Sequence, residues 1–343
     1  MMKRMFLTRW VMTAGPGAGT SERWPILGRA RPAIQSYFLK PITTGYRLEF
    51  QSSPRAALAP AQLNTLAPMH PNTAEFQYVT GQMRESFVEL LARFEACNVQ
   101  ALTMPGWELD LPYGQHAREV IDVHSSDAKA QGTVVYFHAG YWQSRDKSQF
   151  RFLAPAFNAM GWDMALVNYP LCPEVSVAGI VASAAQALKK IATHQSERGR
   201  TGSIVLCGHS AGAHLAIELA LQQAATTSPL PIAGVVAISG VYDLQPLLDT
   251  TLNTRLKLDT DSAKDCSPTH RVRPGAAPAL FMWGDTETPA FHAQSQDMAR
   301  LWQLQGNVAQ CSAVAHADHF SVLECVTAPD GLVAKTLQSW AGG

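Results

Sequence analysis

Residues 203–214 read Ser203-Ile204-Val205-Leu206-Cys207-Gly208-His209-Ser210-Ala211-Gly212-Ala213-His214, and the fold turns on this stretch. Ser203 to Cys207 is a short apolar run of β-favouring residues, the pattern of a buried strand. From Ala211 to Gln223 the chain is rich in Ala, Leu and Gln, which favour a helix. Between the two, Ser210 stands at the centre of a G-x-S-x-G segment. The bare pattern would arise in roughly one ordinary chain in ten at average residue usage, so its context carries the weight. A strand, a sharp turn and a helix in succession present a serine hydroxyl at the tip of strained backbone. Gly208 and Gly212 suit such a turn, because a Cβ at either would strike the neighbouring strand or helix. Ser210 is therefore a candidate nucleophile, with a helix N-terminus beside it.

Outward from this stretch the chain alternates. Upstream, apolar residues at Phe87, Leu90, Leu91 and Phe94 share one face of a helix expected over 84–97. Residues 107–113 read as a linker, and 120–123 and 133–137 as strands. A helix is expected over 150–160, a strand over 164–167 and a longer helix over 177–194. Downstream come strands at 233–238, 279–283 and 308–314, with helices at 290–304 and 332–340. Strands alternating with helices imply a mostly parallel sheet covered on both faces, with the chemistry at the carboxyl ends of its strands. The polar residues 243–275 are expected to form a cap or insertion. Residues 69–343 thus read as one α/β domain, with no internal repeat or low-complexity tract.

The 343 residues suffice for one large domain, and a 47% hydrophobic, 16% charged composition is ordinary for a globular protein. Lys plus Arg and Asp plus Glu both number 27, so the net charge is zero, which argues against general binding to nucleic acid or a membrane surface. Nine of those basic residues and only two of the acids fall in residues 1–60. Residues 1–68 carry frequent Pro and Gly and no sustained period, and read as an irregular basic extension. A targeting segment and an extension upstream of Met69 both fit that composition. Six scattered cysteines without a C-x-x-C pair favour reduced thiols and a cytoplasmic setting. Cys207, on the strand entering the turn, reads as a small buried side chain. No apolar run approaches the length of a bilayer span.

A serine hydroxyl needs a base, an orienting acid and a site for an oxyanion. The base should follow the last strand, where Ala315-His316-Ala317-Asp318-His319-Phe320 offers two histidines. His319 is preferred because the apolar residues after it can anchor the loop, while His316 lies too close to the strand end to reach across. Their H-x-x-H spacing lacks a third ligand nearby, so no metal is expected, and no other cofactor. The acid should follow the strand ending at Trp283, where Glu287 is preferred over Asp285. The oxyanion donors are expected from the backbone N–H groups of Ala211, Ala139 and Gly140. The last two lie in His138-Ala139-Gly140-Tyr141-Trp142, a loop parallel to the H-G-G-x-W loop of lipases and esterases. His138, Tyr141, Trp142 and Phe320 are candidate substrate-binding residues.

From about residue 107 to 325 the chain resembles the kynurenine formamidases (arylformamidases) of the α/β-hydrolase superfamily. The resemblance rests on Leu111-Pro112-Tyr113-Gly114, residues 138–142 followed by Asp146-Lys147-Ser148, and Asn168-Tyr169-Pro170-Leu171-Cys172-Pro173-Glu174. It continues through residues 208–214, then Gly284-Asp285-Thr286-Glu287-Thr288-Pro289-Ala290-Phe291 with Gln294-Ser295, and His319-Phe320. It implies an α/β-hydrolase fold and a triad of Ser210, Glu287 and His319. The implied substrate is an N-formyl (N-acyl) aromatic amine such as N-formylkynurenine, with small aryl or acyl esters as the alternative. The expected partners are that small aromatic molecule and at most a second copy of the chain. The sequence departs from the pattern at Ala139, in place of the first glycine of the loop, at Glu287, where Asp is common, and at Ala290, in place of the Glu of P-E-F.

Overall fold

The computed structural model describes residues 71–125, 130–200, 202–227 and 229–341. The basic extension expected over residues 1–68 lies outside them. Eight strands form one sheet: β1 (Trp107–Pro112), β2 (Val120–His124), β3 (Gly132–Phe137), β4 (Asp163–Val167), β5 (Ser203–His209), β6 (Ile232–Ile238), β7 (Ala279–Gly284) and β8 (Ala309–Val314). Their order across the sheet is β1-β2-β4-β3-β5-β6-β7-β8. The pairs β1–β2 and β2–β4 are antiparallel. From β4 to β8 every neighbour is parallel, so these six strands end along one edge.

The sheet is covered on both faces, as near-continuous apolar strands demand. Alternate residues of one strand enter opposite cores. Val135 and Phe137 of β3, Leu206 of β5 and Phe281 of β7 pack with the helices Val177–Glu197, Ala211–Ala224 and Pro289–Leu304. Val134, Tyr136, Val205, Cys207 and Met282 face the other core, with Leu90 and Phe94 of helix Phe87–Leu102 and Leu337 of helix Leu332–Trp340. Cys207 is fully buried. Helix Ala211–Ala224 is buried from Ala211 through Leu221, its polar His214 and Glu218 included.

Three stretches differ from the sequence reading. Residues 107–112 are an edge strand, not a linker. Its alternation is hidden because the register shifts between Glu108 and Leu111 and Asp110 has φ 56°. The helix expected over 150–160 is a 3₁₀ segment, Lys147–Leu153, followed by a short α-helix, Ala154–Ala159. Pro155 in the first turn of the second piece has no N–H to continue the first. The five-residue helix Ala74–Tyr78 was not anticipated. Residues 243–275 form a 3₁₀ segment, Gln245–Asp249, two short helices, Asn253–Leu256 and Thr260–Asp265, and a 3₁₀ turn, Pro268–His270.

Candidate active site

Five adjacent parallel strands each deliver a candidate group at their carboxyl ends. β3 leads into residues 138–140, β5 into Ser210, β6 into Ser239, β7 into Glu287 and β8 into His319. Ser210 has φ 56° and ψ −119°, a conformation that costs an ordinary residue on the order of 1–3 kcal/mol. Its amide donates to the Ile238 carbonyl at the end of β6 (2.8 Å), which fixes the turn. Its side chain does not cap its own helix, so the hydroxyl is not spent on the helix N-terminus. A Cβ on Gly212 would run into the Phe137 carbonyl. That close approach sets the first turn of the helix directly against the start of the 138–140 loop.

The structure brings Glu287 and His319 together. Nδ1 of His319 lies 2.7 Å from Oε2 of Glu287. The other carboxylate oxygen accepts from Ser239 Oγ (2.6 Å) and from the Gly284 amide (2.7 Å). A carboxylate held at both oxygens fixes the imidazole in one orientation, with Nδ1 donating. His209, next to Ser210, bonds through Nε2 to the His319 carbonyl (2.6 Å), and the two rings stand 4.8 Å apart. Phe291 and Phe320 pack on the His319 ring at 4.5 and 5.5 Å. Behind it Val322 and Leu323 are fully buried, anchoring the loop. The two alternatives, His316 and Asp285, are both exposed. Among the described residues no group of three His, Cys, Asp or Glu is placed to hold a metal ion.

Ala211 and Ala139 are buried, and Gly140 adopts φ 129°. A side chain at 140 would meet the Ser144 carbonyl, which closes the loop from behind. His138 and Trp142 have no exposed surface, so they support the loop from beneath rather than line an open pocket. The His138 ring stacks on Tyr169 at 4.1 Å, and its nitrogens face the Ala139 carbonyl and Asn168 Oδ1. Burial lowers its pKa to about 4, so it is neutral at pH 7. Trp142 meets His214 edge-on at 5.0 Å. Tyr141 and Phe320 are half-buried, and these two retain surface for a ligand.

Further groups were given no role in the sequence reading. Ser239 holds the Glu287 carboxylate, yet it is one small residue after one strand among several. The helix Ala74–Tyr78 straps three parts of the site together. The Tyr78 carbonyl accepts from the Tyr141 hydroxyl, and the Tyr78 hydroxyl accepts from Gln294 (2.9 Å). The Gln77 carbonyl accepts from Thr288 Oγ1 (2.6 Å), and Glu75 accepts from both the amide and the hydroxyl of Thr251 (2.7 Å each). Beneath the loop, Lys147 and Arg151 pair with the fully buried Asp122 (2.7 Å each). Asp146 caps the 3₁₀ segment. Burial acts to raise the Asp146 pKa, but bonds from Ser148 and Asn168 and the charge of Arg118 bring it down to about 2.

Residues 134–266 match the model of a family with the alpha/beta hydrolase fold. An esterase from Pyrobaculum calidifontis superposes with TM-score 0.60 at 19% identity, over 76% of this chain and 96% of its own. A structure described as a thioesterase, from Silicibacter sp. TM1040, superposes with TM-score 0.70 at 29% identity, over 77% of this chain and 98% of its own. Fold and site together define an α/β-hydrolase. The kynurenine formamidase of Danio rerio is 30% identical over 68% of this chain and 82% of that protein. That of Drosophila melanogaster is 25% identical over 67% and 80%. The chain belongs to the kynurenine formamidase family and is a hydrolase.

Proposed function

We propose that Ser210, His319 and Glu287 form a nucleophile–base–acid triad that hydrolyses the formamide of an N-formyl aromatic amine, N-formylkynurenine first among them. The observation that carries this reading is the 2.7 Å His319–Glu287 contact, with the His319 carbonyl bonded to the ring of His209, the residue before Ser210 on its strained turn. His319 Nε2 takes the hydroxyl proton as Ser210 Oγ attacks the formyl carbon. The oxyanion that develops is met by the N–H groups of Ala211 and of Ala139 and Gly140. Each such donor is worth about 10²–10³ in kcat. The imidazolium, stabilised by Glu287, protonates the departing arylamine nitrogen. Water, deprotonated by the same imidazole, then releases formate from the formyl-serine. That substrate would put the enzyme in tryptophan catabolism, and the six unpaired cysteines support a cytoplasmic setting. Among the described residues no helix is long and apolar enough to cross a membrane.

Small aryl esters could use the same groups, so substrate choice is a separate measurement. Turnover of N-formylkynurenine, an N-acetyl aryl amide and a p-nitrophenyl ester should favour the formamide by kcat/KM. A preference for the ester would turn the assignment toward a carboxylesterase. The Ser210→Ala variant should lose at least about 10³-fold in kcat with its fold unchanged. Undiminished turnover in that variant would end the mechanism.

A further inference from the structure

The residues 138–142 loop and the His319 loop meet at a cation that the triad leaves unused. Arg145 follows the loop at φ 75°, and its backbone is pinned by Arg118 Nη2, which donates to the Arg145 carbonyl (2.8 Å). Its guanidinium carbon lies 5.1 Å from the centroid of the Phe320 ring. That ring packs on His319 at 5.5 Å and on His209 at 5.7 Å. The cation therefore stands one aromatic ring away from the base. Burial opposes its charge, yet among the described residues no carboxylate pairs with it. Its neighbour Asp146 is engaged by Arg118 and Asn168. The Arg145 side chain borders a cavity of about 40 Å³ whose walls include Leu91, Phe94, Phe150 and Phe320, with the exposed Glu95 at its rim. The space holds about two or three waters, enough for a carboxylate and too little for an aromatic ring.

Arg145 is half-buried, and an aromatic face alone is weak compensation for a guanidinium that burial disfavours, a group normally held by a bidentate acceptor. We propose that Arg145, stacked on Phe320, is a specificity-determining residue that receives the carboxylate of the substrate, so that the enzyme selects aryl formamides bearing an acidic side chain over neutral ones. This inference rests on the function proposed above and adds to it the residue that recognises the substrate's carboxylate. Phe320 then serves two groups at once, supporting His319 with one part of its surface and the anion-binding cation with its face.

The test compares kcat/KM for N-formylkynurenine with that for uncharged N-formylaniline, in the parent enzyme and in Arg145→Met. The ratio should fall at least about tenfold in the variant, the scale of one charge-assisted hydrogen bond. Arg145→Lys, which keeps the charge but loses the planar fork, should recover part of it through KM. A ratio that moves less than about twofold in Arg145→Met overturns the proposal. A second readout uses the parent protein alone, independent of the variant's folding. A phenylalkanoate should inhibit at least about tenfold more tightly than its neutral amide, and equal inhibition also overturns it. If the parent cleaves esters but neither formamide, the proposed function fails by itself. The same ratio, measured with a carboxylate-bearing phenyl ester against an uncharged one, then decides Arg145.

Discussion

Two histidine–glutamate pairs flank the Ser210 turn, and they differ in what else holds each partner. His319 and Glu287 meet at 2.7 Å, and the carboxylate's second oxygen is held by neutral donors, Ser239 and Gly284, which leave its charge directed at the imidazole. His214 and Glu218 lie one and two turns along the helix from Ser210, at 3.7 Å. His214 donates from Nε2 to the Cys266 carbonyl (2.7 Å), and Glu218 is taken by Arg271. Burial moves the two groups in opposite directions, His214 down to about 4 and Glu218 up to about 7, so both favour the neutral form. Proximity of an imidazole and a carboxylate therefore says little by itself. The remaining partners of each group separate an imidazole oriented by its carboxylate from a packed pair.

The sharpest way to break this contrast is to remove each histidine in turn. His319→Ala should cost about 10³–10⁴-fold or more in kcat, and Glu287→Gln about 10³–10⁴-fold, because an amide does not fix the imidazole tautomer. His214→Gln keeps a donor for the Cys266 carbonyl and should leave kcat within about tenfold of the parent, since its ring meets Trp142 beneath the loop, the Cys266 carbonyl and Glu218 rather than Glu287 or His319. Steady-state kinetics with circular dichroism on all three variants reads this directly. A loss in His214→Gln equal to that in His319→Ala would erase the distinction between the pairs.

How much of this was legible in the chain depends on whether the cause was local. The strand, turn and helix around Ser210 were readable because the signal is contiguous and each residue type answers a nearby steric demand. The preference for His319 over His316 came from the apolar residues beyond it, and Val322 and Leu323 do anchor that loop. The edge strand at 107–112 was missed because a register shift and a positive φ at Asp110 broke its period. Ser239 and the strap over 74–78 act only through partners far away in sequence, such as Glu287, Tyr141 and Thr251. His214 is the instructive case. It stands within the same motif as Ser210, and only the Cys266 carbonyl, 52 residues downstream, shows what it does.

Acid titration gives the next measurement. His138 and His214 both have pKa values lowered to about 4, from an ordinary value of 6.5. Between those limits the unfolded chain takes up protons that the folded chain refuses. Their stabilising contribution is therefore present above pH 6.5 and falls away as pH drops toward 4. Each can withdraw on the order of 3 kcal/mol. Asp146, lowered to about 2 from 3.8, adds a smaller loss as pH falls through that lower window. Urea midpoints measured from pH 7.5 to 4 should decline steadily. His214→Gln should flatten the decline, and an unaltered slope in that variant would contradict a buried neutral imidazole.

Glu218 should act with the opposite sign and the smallest effect. Its pKa is raised to about 7 from 4.5, with burial the larger influence and Arg271 pulling the other way. Between pH 4.5 and 7 the folded chain holds a proton that the unfolded chain releases, so its contribution is full below pH 4.5 and declines as pH rises to 7 and beyond. Glu218→Gln keeps the shape of the protonated acid and removes the titration. Relative to the parent, the variant should gain stability between pH 5 and 8, by no more than about 3 kcal/mol, less whatever the pairing with Arg271 supplied. Turnover should stay within about twofold, because neither Ser210 nor His319 depends on this carboxylate. A variant that loses stability as pH rises would show that Glu218 is held as an anion by Arg271. The second pair would then be an ion pair that orients His214, closer in kind to the first.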